Sequence, residues 1–222
     1  DAMTVTGRTV AENLRAAPSL AQLGAQDIVR PVAQPLAAPG NHISVLKGSL
    51  APESAVLKLG GKTLERGVFR GPAQVFESEA DALQAIRAGA IRPGSVVVVR
   101  NVGPAGAPGM PEMVILTIEL QGRGLGRDVA MITDGRFSGV SHGILVGHVS
   151  PEAAKGGPIG LVCDGDMIVI DPRQRTLDLE VEPAELARRQ AEPRKGPPAL
   201  RPGSVLEKYS RLVSSAHYGC VL

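Results

Sequence analysis

Apolar positions along this chain of 222 residues come in short runs, separated by clusters of Gly, Pro, Asn and Asp. Thr9 and Glu12 have the spacing of a capping box, so a short amphipathic helix is predicted from there to about Ala16. Residues 28–39 hold three prolines and little periodicity, which predicts an extended connector. Short strands are expected at 43–46 and 55–59, with Gly48, Ser49 and Pro52 turning the chain between them. A strand over 67–76 leads to Ser78, which can cap a helix running to Arg87 and closed by Gly89, with Asp81 at the capping-box position.

The middle of the chain is the most apolar. Residues 95–99 form a continuous β-branched run after a Pro-Gly turn, as expected of a strand buried on both faces. A Gly- and Pro-dense loop follows from Asn101, with Pro111 suited to the first position of a helix. Residues 113–120 then fit a buried helix, although periodicity alone leaves a strand nearly as good. Strands are expected at 129–133, 144–149 and 158–162, and Asp164-Gly165 gives a hairpin signal ahead of a meander over 167–170 and 176–181. A charged helix at 182–190, a linker at 192–203 and an amphipathic helix at 205–215 complete the chain. The expected fold is a β-rich α/β domain, barrel-like or swivelling, with peripheral helices. Its parts are a helical lead-in and connector at 1–40, a β-rich core at 41–181 and a helical tail at 182–222. The first residue is Asp1 and a helix signal follows almost at once, so the start reads as a cut inside a longer protein.

Composition narrows the classes. A hydrophobic fraction of 43% with 21% charged residues is that of a globular protein. Only 2% of residues are aromatic and the 24 basic and 22 acidic residues are interspersed, so neither base-stacking platforms nor a phosphate-binding face is expected, and no nucleic-acid partner. Apolar runs fall far short of the roughly 18–20 residues that span a bilayer, so no membrane association is expected. Cys163 and Cys220 form neither a disulfide framework nor a metal-site spacing, which suits a reducing, cytoplasmic compartment.

Two glycine-crowded loops, each after a buried strand, can carry chemistry. In Gly-Met-Pro-Glu-Met at 109–113, Glu112 suits either the dipole at a helix start or a hard metal ion. In Thr-Asp-Gly-Arg-Phe-Ser-Gly at 133–139, Ser138 is a turn or cap hydroxyl unless nearby positive charge, from a metal or Arg136, makes it a base. Gly122, Gly124 and Gly126 precede a strand and not a helix, so they read as a turn and not a dinucleotide fingerprint. His142 and His148 read as structural, and Cys163 as a small buried hydrophobe.

These strings, with Gly-His-Val-Ser-Pro-Glu-Ala-Ala at 147–154, Gly-Gly-Pro-Ile-Gly at 156–160 and further matches at 4–9, 46–52 and 212–216, resemble the dihydroxy-acid dehydratase family over essentially the whole chain. The resemblance implies the carboxy-terminal domain of an enzyme that removes water from a 2,3-dihydroxy acid to give a 2-oxo acid in branched-chain amino-acid biosynthesis. It implies Glu112 as a magnesium ligand, Ser138 as the acceptor of the C2 proton, and Arg136 and Gly139 as substrate contacts. It also implies an iron–sulfur cluster, taken as 2Fe–2S, and further Mg²⁺ ligands on an amino-terminal domain whose motifs do not occur here, with a homodimer as the assembly. The isolated chain is then expected to be inactive. Ser49 stands where the family commonly has Asn and Ser54 where it commonly has Gly. The tail at 215–221 resembles the amino-acid biosynthetic branch more than the related sugar-acid dehydratases. A sugar-acid dehydratase and a non-catalytic assembly domain are the rival readings.

Overall fold

A computed structural model describes residues 2–36, 43–59, 67–193 and 195–222. They fall in two compact units, Asp1–Pro39 and Gly40–Leu222. In the first, helix α1 (Val10–Ala16) starts at the expected box: the Thr9 hydroxyl accepts from the Glu12 N–H at 3.2 Å, and the Glu12 carboxylate accepts from the Thr9 N–H at 2.7 Å. A 3₁₀ turn at Leu20–Leu23 follows, and 28–36 carry neither helix nor strand; the end of the expected connector, 37–39, lies outside the described residues.

The second unit is built on eight strands: β1 (Ile43–Leu46), β2 (Ser54–Leu59), β3 (Phe69–Phe76), β4 (Val96–Val99), β5 (Ala130–Thr133), β6 (Ile144–Ser150), β7 (Met167–Asp171) and β8 (Thr176–Glu180). Their order in the sheet is β1-β2-β6-β5-β4-β3-β7-β8. The central four, β3 to β6, run parallel, and an antiparallel pair flanks them on each side. Just past β1 the Lys47 N–H donates to Arg175 O and the Leu177 N–H donates to Lys47 O, both at 3.0 Å, so the two outer strands meet. The sheet is thereby a nearly closed barrel, which protects both edges.

The β-branched run at β4 explains the layering. Val96 and Val98 point inward with Leu57, Ile132, Val146, Ile168 and Leu177, whereas Val97 and Val99 point outward. The outer face is covered by α2 (Glu79–Arg87) and α3 (Val114–Gly122) through Ile86, Leu116 and Leu120, so both faces of the central strands are dry. Helix α2 starts where expected, with the Ser78 hydroxyl accepting from the Asp81 N–H. Helices α4 (Pro183–Ala191) and α5 (Val205–Leu212) complete the unit, which is the β-rich α/β barrel with peripheral helices expected from the sequence.

Several local expectations are corrected. Residues 158–162 are not a strand: Pro158–Leu161 is a 3₁₀ helix with the proline in its first turn, burying Ile159 and Leu161. Asp164-Gly165 does not close a hairpin but pins β7 to β3, with the Asp164 carboxylate accepting from the Val75 N–H at 2.7 Å and the Gly165 N–H donating to Ala73 O at 2.9 Å. Pro111 lies before α3, which begins at Val114, and α5 ends at Leu212, short of Ser215. Cys163 is exposed, because its N–H is bound by the Asp166 carboxylate in a surface turn.

Candidate active site

Strands β4, β5 and β6 are parallel neighbours, so the segments leaving their carboxyl ends crowd together, the usual place for a ligand in such sheets. One fully buried carboxylate organises them. Asp134, next after β5, accepts from the N–H of Asn101 (3.1 Å) and of Val102 (3.0 Å) beyond β4, and of Ala153 (2.9 Å) beyond β6. Burial raises its pKa, and these N–H groups pull the other way. A second buried carboxylate, Glu152, accepts from the N–H groups of Ala105 (3.0 Å) and Gly106 (3.0 Å), so the Gly-rich loop is held from beneath. Gly103 is glycine because a Cβ there would lie 2.6 Å from a Glu152 oxygen.

The two sequence-predicted loops come together on this scaffold. Glu112 forms an isolated parallel β-bridge with Arg136, the Met113 N–H donates to Arg136 O at 3.3 Å, and Arg136 Nε donates to Met110 O at 2.7 Å. Glu112 and Ser138 thus lie on adjoining segments. Glu112 Oε2 accepts from the Val114 N–H at 3.1 Å, which places its carboxylate at the start of α3. Glu79, at the start of α2, has its pKa raised by burial and then by the charge of Glu112, so two carboxylates share this corner. Of the expected substrate contacts, the Arg136 Nε is committed to Met110 and the Gly139 carbonyl accepts from Lys58.

Ser138 sits on the crossover from β5 to β6, where the Ser141 N–H donates to Ser138 O at 3.3 Å and the two hydroxyls are 3.4 Å apart. The crossover lies against Gly147 of β6, whose missing side chain leaves room for Gly135, Arg136 and Phe137. Just beyond, β6 carries a β-bulge: Val56 of β2 pairs with Gly147, but Ser54 pairs with Ser150, leaving one extra residue on β6. His148 occupies it with φ of 54°, its N–H donating to Gly135 O at 2.8 Å. Burial first, and the Arg136 charge second, lower the imidazole pKa and favour its neutral form. His142 is on the exposed crossover, so the two histidines do not share a strand face. The carboxy-terminal segment docks nearby, with Ser210 Oγ donating to Ala105 O at 2.6 Å, and Ser54 Oγ 3.0 Å from His217 Nδ1. Ser49 Oγ accepts from the Leu179 N–H at 2.9 Å, which ties the turn after β1 to β8.

Sequence reasoning passed over Asp134, Glu152, Lys58 and the backbone role of His148. Asp134 precedes Gly135 and reads as turn chemistry, and Lys58 falls on the solvent phase of an alternating strand. Among the described residues no group of three or more His, Cys, Asp or Glu converges to hold a metal ion. A Mg²⁺ ion takes about six oxygen ligands, so Glu112 alone does not constitute a site for it.

Residues 27–220 match the family model described as dihydroxy-acid/6-phosphogluconate dehydratase C-terminal. The chain is 51% identical over 222 residues to the mitochondrial dihydroxy-acid dehydratase of Saccharomyces cerevisiae, covering 99% of this chain and 37% of that protein. It is 52% identical over 221 residues to the dihydroxy-acid dehydratase of a Synechococcus species, and 51% identical over 222 residues to that of Thermosynechococcus vestitus, covering all of this chain and 39% of each relative. The chain therefore spans under two fifths of the length of these relatives.

Proposed function

Because the chain belongs to the dihydroxy-acid/6-phosphogluconate dehydratase C-terminal family, we propose that it supplies one side of the active site of a dihydroxy-acid dehydratase, a hydro-lyase of branched-chain amino-acid biosynthesis. The observation that carries this reading is the meeting of the Glu112 and Ser138 segments at the Glu112–Arg136 bridge. In the proposed reaction the Ser138 oxygen takes the C2 proton of a 2,3-dihydroxy acid, the C3–O bond breaks and the departing hydroxide takes up that proton to leave as water, and the resulting enol tautomerises to a 2-oxo acid. Such a base must hold its charged form, which neighbouring positive charge favours. Arg136 and Gly139 border the substrate.

Glu112 is proposed to donate one ligand to a Mg²⁺ ion whose remaining ligands, together with those of a 2Fe–2S cluster, belong to an amino-terminal domain. The described residues do not make a metal site by themselves. A homodimer and a cytoplasmic-type compartment complete the proposal. Among the described residues no helix is long and apolar enough to cross a membrane.

Ser138→Ala in the full-length enzyme tests the reading. The expected result is a folded protein with activity lower by about 10² to 10⁴-fold, the usual worth of a general base. Undiminished turnover would return the serine to a turn-forming role. Comparing a dihydroxy-methylbutanoate with an aldonate in the same assay separates this reading from a sugar-acid dehydratase.

A further inference from the structure

The crossover that carries Ser138 has no helix or strand of its own, yet three of its carbonyls converge on one point. Lys58 Nζ donates to Ser138 O at 2.9 Å, to Ser141 O at 2.7 Å and to Gly139 O. An ammonium has three N–H donors and here each finds a carbonyl. Without the cation, three carbonyl dipoles would face one another across a small gap, which is unfavourable in a half-buried place. The turn and the lysine therefore specify each other.

Lys58 is well placed to be an anchor. It lies on β2, which is paired on both sides, opposite Leu145 of β6, while its neighbour Leu57 is fully buried in the barrel. The stem is thus fixed by the sheet, and the head reaches the β5–β6 crossover. The other cation of the crossover, Arg136, directs its Nε to Met110. Lys58 bonds to the carbonyl of Ser138 itself, so its charge is held beside the residue whose hydroxyl is the proposed base.

We propose that Lys58 is a positioning residue for Ser138: its ammonium, seated among the carbonyls of Ser138, Gly139 and Ser141, fixes the turn that presents the hydroxyl and keeps a positive charge beside it. This rests on the reading of Ser138 as the base. A base moved by a fraction of its reach loses rate without loss of substrate affinity, so the effect belongs in kcat and not in KM. A lysine that served only general stability would change the folded fraction instead.

The test uses Lys58→Met, Lys58→Arg and Ser138→Ala in the full-length enzyme, with activity scaled to the folded fraction measured by circular dichroism. Lys58→Met is expected to lower kcat by about a hundredfold while KM stays within about threefold. Amide hydrogen exchange in the 137–142 segment is expected to quicken by about tenfold or more, since the turn loses its clamp. Lys58→Arg restores the charge but presents a planar fork, and is expected to recover roughly tenfold of the lost rate. Should Lys58→Met not fold, Lys58→Gln takes its place, and parental kcat together with parental exchange in that uncharged variant would defeat the proposal. A folded Lys58→Met enzyme with kcat within about twofold of the parent, or with its loss in KM alone, would also overturn it. Ser138→Ala separates the two ideas. If it stays active, the base reading falls and this one with it; if it is inactive while Lys58→Met is unimpaired, only the role of Lys58 is lost.

Discussion

At Asp134 a side chain with no exposed surface receives N–H groups from the loops after two other strands. No replacement of similar size offers three such acceptor positions, and each orphaned buried N–H costs about 1 kcal/mol or more. Asp134→Ala is therefore expected to lower the unfolding free energy by about 3 kcal/mol or more in urea titration. A loss within the few tenths typical of surface changes would mean that the loops are held by something else. Much of this layer escapes sequence reading. Ser138 and Glu112 stood out because glycine and proline surround them, but Asp134 looks like any Asp-Gly turn and Lys58 like any outward strand residue. What distinguishes these two is their partners, 19 to 83 residues away along the chain, and no local pattern records those.

Among the elements, those governed by local rules were legible. The β-branched run at 95–99 became β4, the strand expected at 129–133 became β5, and the caps at Thr9 and Ser78 start their helices as expected. Residues 158–162 misled because their apolar run contains Pro158 and Gly160, and Ile159 and Leu161 are buried by a tight turn and not by strand alternation. Residues 113–120, ambiguous by period, are a helix because a wide apolar face is needed to cover the outer side of β4 and β5. Helix α4 allows a prediction by pH. Glu185 hydrogen bonds with Arg188 first and Arg189 second, which lowers its carboxyl pKa from 4.5 to about 2. Arg189 also binds Asp166, in the turn before β7. A carboxyl pKa depressed on folding adds stability that is complete above about pH 4.5 and fades as the pH drops toward 2. Glu185→Gln should flatten the stability profile over that acid range, and added salt should weaken the parent's dependence, chiefly through the Arg188 pair, which is the more exposed of the two. Parallel acid limbs for parent and variant would refute the assignment.

At the scale of the whole barrel, the seam where the segment after β1 meets β8 rests on a few backbone bonds at Lys47 and Leu50 and on the side-chain bonds of Ser49 and Asp178. Lys47→Pro removes one N–H donor there and is expected to cost about 1 to 3 kcal/mol, a Tm lower by several degrees, while Lys47→Ala should stay close to the parent. Equal melting of both variants would show that closure adds nothing. The barrel-like class was legible from the number and spacing of strands, whereas the strand order was not, since it depends on crossovers that pass β6 between β2 and β5.

The extra residue at His148 has a further consequence. It reverses the inside–outside phase of β6 midway, so that Val146 and Val149 both reach the interior although three positions apart. A deletion at this point would not shorten a surface feature; it would turn the last residues of the strand inside out, exposing Val149 and carrying the junction with Pro151 out of step with Glu152 and the loops it supports. The strand is in effect two half-strands spliced by a single residue, and the length of that splice is as fixed a property of the molecule as any side chain in its core.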